Sequence, residues 1–295
     1  MLLGALIVLV VIAAALREKR IAALTTLSMS RRRLGSDGIV VGGGGFTLER
    51  ANGPAVLLIH GAGDTPQTLR YLGDYLHARG FHVVAPLLPG HGRSVRDFLR
   101  VRADDLTNAA RAAYVELREQ REWTGIIGLS MGGALAVQLA AEFPELPALG
   151  LAAPYLEMPR RIERAARIAW LWGPLVPIVD SSEGESVFDA EERSRNLAYG
   201  IFTASALRAL YETVRRAADA SPYVNAPTLF VQSREDNRIS VAAAERAFAK
   251  LGAKEKRLVW VTGASHVITV DFGREHVFEM LAAWLEQHGA AVVSR

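Results

Sequence analysis

An α/β fold with a mostly parallel central sheet flanked by helices is predicted from three features of the sequence. Short apolar runs alternate with longer amphipathic stretches from Ala55 onward, and the short runs end in turn residues as buried strands do. About half of the 295 residues are apolar, enough to fill one sizeable core. Strands are expected at residues 55–60, 81–86, 125–129, 148–153, 227–232 and 257–262. Helices are expected at 68–79, 103–120, 132–142, 204–218, 241–251 and 276–287, where helix formers set apolar side chains at helical spacing. Roughly seventy residues separate the strand ending at Ala153 from the one beginning at Pro227, far beyond an ordinary βα connection. Residues 154–222, rich in Arg, Trp and Pro, are therefore expected to form a helical lid or cap over the sheet edge where ligands bind. The core is assigned to residues 34–153 and 223–295.

The N-terminus reads differently. Met1 to Leu16 is apolar apart from Gly4, and Arg17, Glu18, Lys19, Arg20 and then Arg31, Arg32 and Arg33 follow. With positive charge after the apolar run and none before it, residues 1–33 are expected to be an uncleaved membrane anchor and basic linker. The basic residues would then hold the remainder in the cytoplasm. A cleaved signal ending near Ala13, Ala14 and Ala15, with export of the domain, is the alternative.

A formal charge of +3, with no basic stripe interleaved with aromatics, gives no reason to expect a nucleic-acid partner. The absence of cysteine excludes disulfides, thiolate metal sites and a cysteine nucleophile. The glycine run at 42–45 lacks the spacing of a dinucleotide-binding turn and is expected to be a turn or bulge.

The chemistry points to Gly128-Leu129-Ser130-Met131-Gly132, a G-x-S-x-G pentapeptide set between an apolar strand and a helical run. Glycines at its ends permit a sharp turn that exposes the serine oxygen at the end of the strand. A serine hydroxyl needs a base, and His266, just after the last expected strand, holds the place in chain order where that base belongs. Asp236, in the turn after the strand at 227–232, is the expected acid, with Glu235 as its near rival and Asp219 and Asp180 less well placed. Backbone N–H groups of Met131 and Ala62 are the expected oxyanion donors, Ala62 lying in the glycine-rich turn after the first strong strand. His60 is expected to be structural, beneath that turn, and His77, His82, His276 and His288 to be surface or packing residues.

In this order His60-Gly61, Leu88-Pro89-Gly90-His91-Gly92-Arg93-Ser94, Gly128 to Gly132, Asp236 and His266 resemble the α/β-hydrolases, specifically bacterial monoacylglycerol lipases and carboxylesterases. Thr65 to Leu69 and Ser265 to Asp271 look particularly like that subgroup. The resemblance spans about residues 46–287 and implies hydrolysis of monoacylglycerols or short to medium acyl esters without a cofactor. The subgroup often carries a bulky residue where Ala62 stands, which bears on acyl-chain preference. Two other readings use the same residues: an acyltransferase in which an alcohol or amine intercepts the acyl-enzyme, and a membrane-tethered binding protein that keeps only the fold.

Overall fold

The computed structural model describes residues 2–30, 32–180 and 186–293. Met1 and Arg31 of the N-terminal reading, and residues 181–185 of the expected cap, lie outside the described residues. In chain order the strands are β1 (Phe46–Leu48), β2 (Ala55–Ile59), β3 (His82–Ala85), β4 (Thr124–Leu129), β5 (Leu149–Ala152), β6 (Ile178–Asp180), β7 (Ile201–Thr203), β8 (Thr228–Ser233) and β9 (Lys256–Val261). The helices are α1 (Leu2–Met29), α2 (Arg70–Ala78), α3 (Val95–Phe98), α4 (Ala103–Gln120), α5 (Met131–Glu142), α6 (Arg160–Arg167), α7 (Ala169–Trp172), α8 (Ala190–Arg195), α9 (Ala204–Ala220), α10 (Val241–Lys250) and α11 (Arg274–Val293).

The central sheet runs β1-β3-β2-β4-β5-β8-β9. All its pairings are parallel except that of β1 with β3. Strand alternation feeds two cores. Ala55, Leu57 and Ile59 of β2 face the cluster that holds α4, α5, α9 and α10, while Val56 and Leu58 face the one that holds α2 and α11. β4, buried along its whole length, is central in this arrangement, so Ser130 at its end is held by well-packed neighbours.

Each expected strand and helix of the core is present, with ends that differ by a few residues. β1 was not expected: its three residues are too few to show a period, and it is an antiparallel edge on β3. Nor was α3, where Ser94 and Asp97 form a reciprocal capping box. Between β5 and β8 the chain forms α6, α7, the antiparallel pair β6–β7, and α8 before α9. α9 buries Ala206, Ala209, Leu210, Val214 and Ala217 in the same cluster as α4 and α5, so this part of the connection belongs to a main helical layer.

The N-terminal expectation needs correction. No helix among the described residues is long and apolar enough to cross a membrane, because the apolar run stops at Leu16 and charged residues follow. The spanning anchor expected at residues 1–16 is not found, and the cytoplasmic orientation that rested on it loses its premise. The expected linker is instead a continuation of the same helix, and it packs on the domain. Ile21 is buried, Leu24 and Met29 lie against the core, and the Ser28 hydroxyl donates to the Tyr199 carbonyl at 2.8 Å. Arg32 donates to the carbonyls of Leu197 and Ala198.

Candidate active site

Ser130 stands between β4 and α5 with φ 54° and ψ −117°, a left-handed backbone that a residue with a side chain adopts at a cost of about 1–3 kcal/mol. The flanking glycines make that turn feasible. A Cβ on Gly128 would lie 2.3 Å from the Gly132 carbonyl oxygen, and one on Gly132 would lie 2.0 Å from that of Ile59. The carbonyl of Ser130 accepts the N–H groups of Gly133, Ala134 and Tyr155, which fixes the elbow at the start of α5.

The loops after β8 and β9 deliver the two other residues. His266 Nε2 lies 2.8 Å from Ser130 Oγ, and His266 Nδ1 lies 2.8 Å from Asp236 Oδ2. Asp236 Oδ1 accepts the N–H groups of Arg238 at 2.7 Å and Ile239 at 2.9 Å, and Gln232 donates to Oδ2 at 2.7 Å. Burial alone would raise the Asp236 carboxyl, but the His266 ring and these backbone donors outweigh it and hold it below the ordinary carboxylate range. An ionised acceptor there requires the proton on Nδ1, which leaves Nε2 free to accept from the serine. Glu235, the rival acid, turns away and accepts from Ser233 Oγ at 3.3 Å.

Met131 N–H opens α5, and Ala62 N–H lies in the turn after β2; neither has a protein acceptor among the described residues. Gly61 lets that turn approach the nucleophile, since a Cβ on it would come 3.3 Å from Ser130 Cβ. His60 is fully buried beneath, its Nδ1 proton given to the Gly61 carbonyl at 2.9 Å while Nε2 accepts Leu88 N–H at 3.1 Å. Burial and the neighbouring His91 push its pKa down to about 3, so the ring stays neutral and braces the loop.

Two carboxylates escaped the sequence reading. Asp64 is buried, with Oδ1 accepting Thr65 N–H and Oδ2 accepting the Thr68 hydroxyl, both at 2.7 Å. Burial pushes its pKa up to about 6, against those two donors and the attraction of His266. Because the folded value lies above the unfolded one, the fold favours the protonated form. That contribution is complete below about pH 4 and is lost as pH rises through about 6. Asp64→Asn, which can still accept Thr65 N–H, is therefore expected to be more stable than the parent above pH 6, by about 2–3 kcal/mol at pH 8, and equal to it near pH 4. Urea denaturation at both pH values measures the difference.

Asp271 was noted only within the family-like segment. Its buried carboxylate accepts the N–H of Ser265 at 2.6 Å, those of Phe188 and Asp189 at 2.9 Å, and that of Phe272 at 3.0 Å. It thus ties the backbone beside His266 to the segment that precedes α8. An amide at this position would face some of these donors with an N–H of its own. Asp271→Asn is expected to cost about 3 kcal/mol of stability and to lower kcat on the order of tenfold or more, with KM for a small ester little changed. Counting active sites with a fluorophosphonate separates misplaced His266 from a smaller folded fraction. The signal in the sequence was an acid shortly after the base, too common a feature to single out.

The family model described as serine aminopeptidase, S33, matches residues 51–272. The chain belongs to this family. Together with the sheet, this makes the protein an α/β-hydrolase. The hydrolase is 26% identical over 238 residues to a thermostable monoacylglycerol lipase of Bacillus sp. (strain H-257), with 80% of this chain and 92% of that protein covered. It is 27% identical over 235 residues to a carboxylesterase of Bacillus subtilis (strain 168), with 79% and 92% covered. A solved structure from work on the metagenome-derived lipolytic enzymes LipS and LipT superposes with a TM-score of 0.77 at 27% identity, covering 84% of this chain and 98% of that one. The monoacylglycerol lipase of Paleococcus ferrophilus superposes at 0.70 with 20% identity over 83% and 98% of the two chains, a likeness of fold.

Proposed function

We propose that the hydrolase cleaves carboxylic esters through an acyl-enzyme on Ser130, with His266 as general base and acid and Asp236 as its orienting partner. The observation that carries this reading is the unbroken series of contacts from Ser130 Oγ through both nitrogens of His266 to Asp236. In the first half-reaction His266 Nε2 takes the proton as Oγ attacks the ester carbonyl. The Met131 and Ala62 N–H groups receive the oxyanion, a stabilisation worth about a hundredfold to a thousandfold in rate for each donor. The alcohol leaves with the proton from Nε2. Water then attacks the acyl group, gives its proton to the same nitrogen, and Ser130 is restored as the acid departs.

Monoacylglycerols and short or medium acyl esters are the proposed substrates, in keeping with the names of the Bacillus relatives. An aminopeptidase, as the family is described, must also pair the α-ammonium of its substrate. Among the described residues, the carboxylates coupled to His266, Asp64 and Asp236, are both engaged by protein donors, which supports an ester over a peptide. Residues 154–203, the part of the expected 154–222 cap that precedes α9, would shape the acyl site over a core of 34–153 and 223–295, with α9 packed in the core's helical layer. A panel of monoacylglycerols and p-nitrophenyl esters of graded chain length tests the proposal. Turnover by the parent protein and none by Ser130→Ala is expected; a parent inert on the whole panel would overturn it.

A further inference from the structure

We infer that the outward face of α6 and α7 docks on a bilayer surface rich in anionic phospholipid, and that the hydrolase meets its substrates there. The second half of this statement rests on the ester reading; the docking itself does not. α6 buries only Ala166, and α7 only Ala169. Trp172 turns inward to donate from its indole to the Ala165 carbonyl at 2.9 Å, whereas Trp170 is 64% exposed, Leu171 61% and Leu175 68%. Ile162 and Ile168, in and just after α6, are exposed as well. Scattered single apolar side chains on a surface need no explanation, but a cluster around a tryptophan in one short stretch does.

The charges around this cluster choose its partner. Arg160, Arg161, Arg164 and Arg167 are all exposed, and the acidic residue within α6 is Glu163. Arginines on neighbouring helices are paired along their own helix, Arg195 with Glu191, Arg208 with Glu212 and Arg215 with Asp219. Those of α6 make no hydrogen bond or ion pair among the described residues, and of the four Arg160 acts on a nearby acid, Glu157, which already pairs with Arg246, so most of their charge is open to an external partner. Apolar side chains that can enter the acyl boundary, next to cations that meet headgroups, are the composition of an interfacial helix. A second copy of the chain is a poor occupant, because a twofold contact would bring the same arginines together.

α6 also follows closely in the chain on a residue that touches the catalytic centre. Tyr155 donates its N–H to the Ser130 carbonyl at 3.0 Å and sets its ring edge-on to His266, 6.4 Å between centroids, and α6 begins at Arg160, shortly after it.

The test uses the full chain, because the exposed Val8, Val11, Ile12 and Leu16 of α1 are a second apolar surface that could bind lipid. Phosphatidylcholine vesicles with and without phosphatidylglycerol are sedimented with the parent, with Trp170→Ser/Leu171→Ser/Leu175→Ser, and with Arg160→Gln/Arg161→Gln/Arg164→Gln/Arg167→Gln. Each basic residue near an anionic surface is worth about fivefold in binding, so the fourfold arginine variant is expected to lose on the order of five-hundredfold in affinity for the phosphatidylglycerol vesicles, and the Trp170 variant on the order of a hundredfold through the apolar area it can no longer bury. The far-ultraviolet circular dichroism of both variants is expected to match the parent's, and a blue shift of tryptophan emission on vesicles to vanish in the Trp170 variant. Three results would overturn docking by this face: equal vesicle binding by parent and variants, equal affinity for the two vesicle types, or a parent dimer that the Trp170 variant dissociates. The vesicle result with no ester hydrolysis by the parent would uphold docking and sink the ester reading alone.

Discussion

Ser130→Ala is expected to lower kcat for an activated ester by about a millionfold, the loss typical of removing the nucleophile from a serine hydrolase that acts as a unit. The reason is local. Removing Oγ leaves His266 Nε2 with no hydroxyl to deprotonate, so the covalent route closes while the Asp236–His266 pair stays intact. Residual catalysis of about a thousandfold over water, from oxyanion donors and binding, would survive. The fold should survive too, since alanine fits a site where serine already tolerates φ 54°. Steady-state kinetics and the mass of a fluorophosphonate adduct measure this. A variant that still labels, or that keeps a hundredth of the activity, would mean that another group is the nucleophile.

Asp236→Asn is expected to cost about ten-thousandfold in kcat through the histidine tautomer, with little change in ester KM. Oδ1 accepts two backbone N–H groups, so the amide nitrogen of asparagine must occupy the Oδ2 side. There it donates to His266 Nδ1, which places the ring proton on Nε2 and removes the acceptor that Ser130 needs. Gln232 adapts to this arrangement, because its buried Oε1 has no partner and an amide flip would offer it to the new N–H. The loss should shrink as pH rises, where hydroxide can replace the base. A pH-rate profile of Asp236→Asn that parallels the parent's would argue that Asp236 does not control the tautomer.

Much of this site was legible because its chemistry forces local sequence. An exposed serine on a strand-to-helix turn needs glycine at positions where a Cβ would collide with backbone, so Gly128 and Gly132 mark it before any fold is known. Asp236 and His266 were legible from their places after the last two strands of the core. The strands themselves were legible because burial on both faces makes them continuous apolar runs. Asp64 and Asp271 were not, since each works by accepting backbone or hydroxyl donors brought from elsewhere, and nothing in the spacing of the chain reveals such partners. α1 misled for a related reason. Its apolar run has the composition of a span but ends at Leu16, short of one, and the burial of Ile21 and Ser28 in the domain is a tertiary fact.

The hydrogen bonds around Asp271 also bear on how this protein could be re-engineered. Val267 N–H donates to the Ser186 carbonyl at 2.9 Å, Arg238 Nε donates to Ser186 Oγ at 2.9 Å, and Arg274 meets Glu192 at 3.3 Å. The segment before and within α8 is therefore stitched to both loops that carry the histidine and the aspartate. A chimera that imports residues 154–222 from a relative to change acyl preference would inherit mismatched stitching. Grafting that segment as a unit with residues 236–239 and 265–274 keeps the seam whole, so the modular boundary for recombination is drawn by these hydrogen bonds and not by the ends of the inserted sequence.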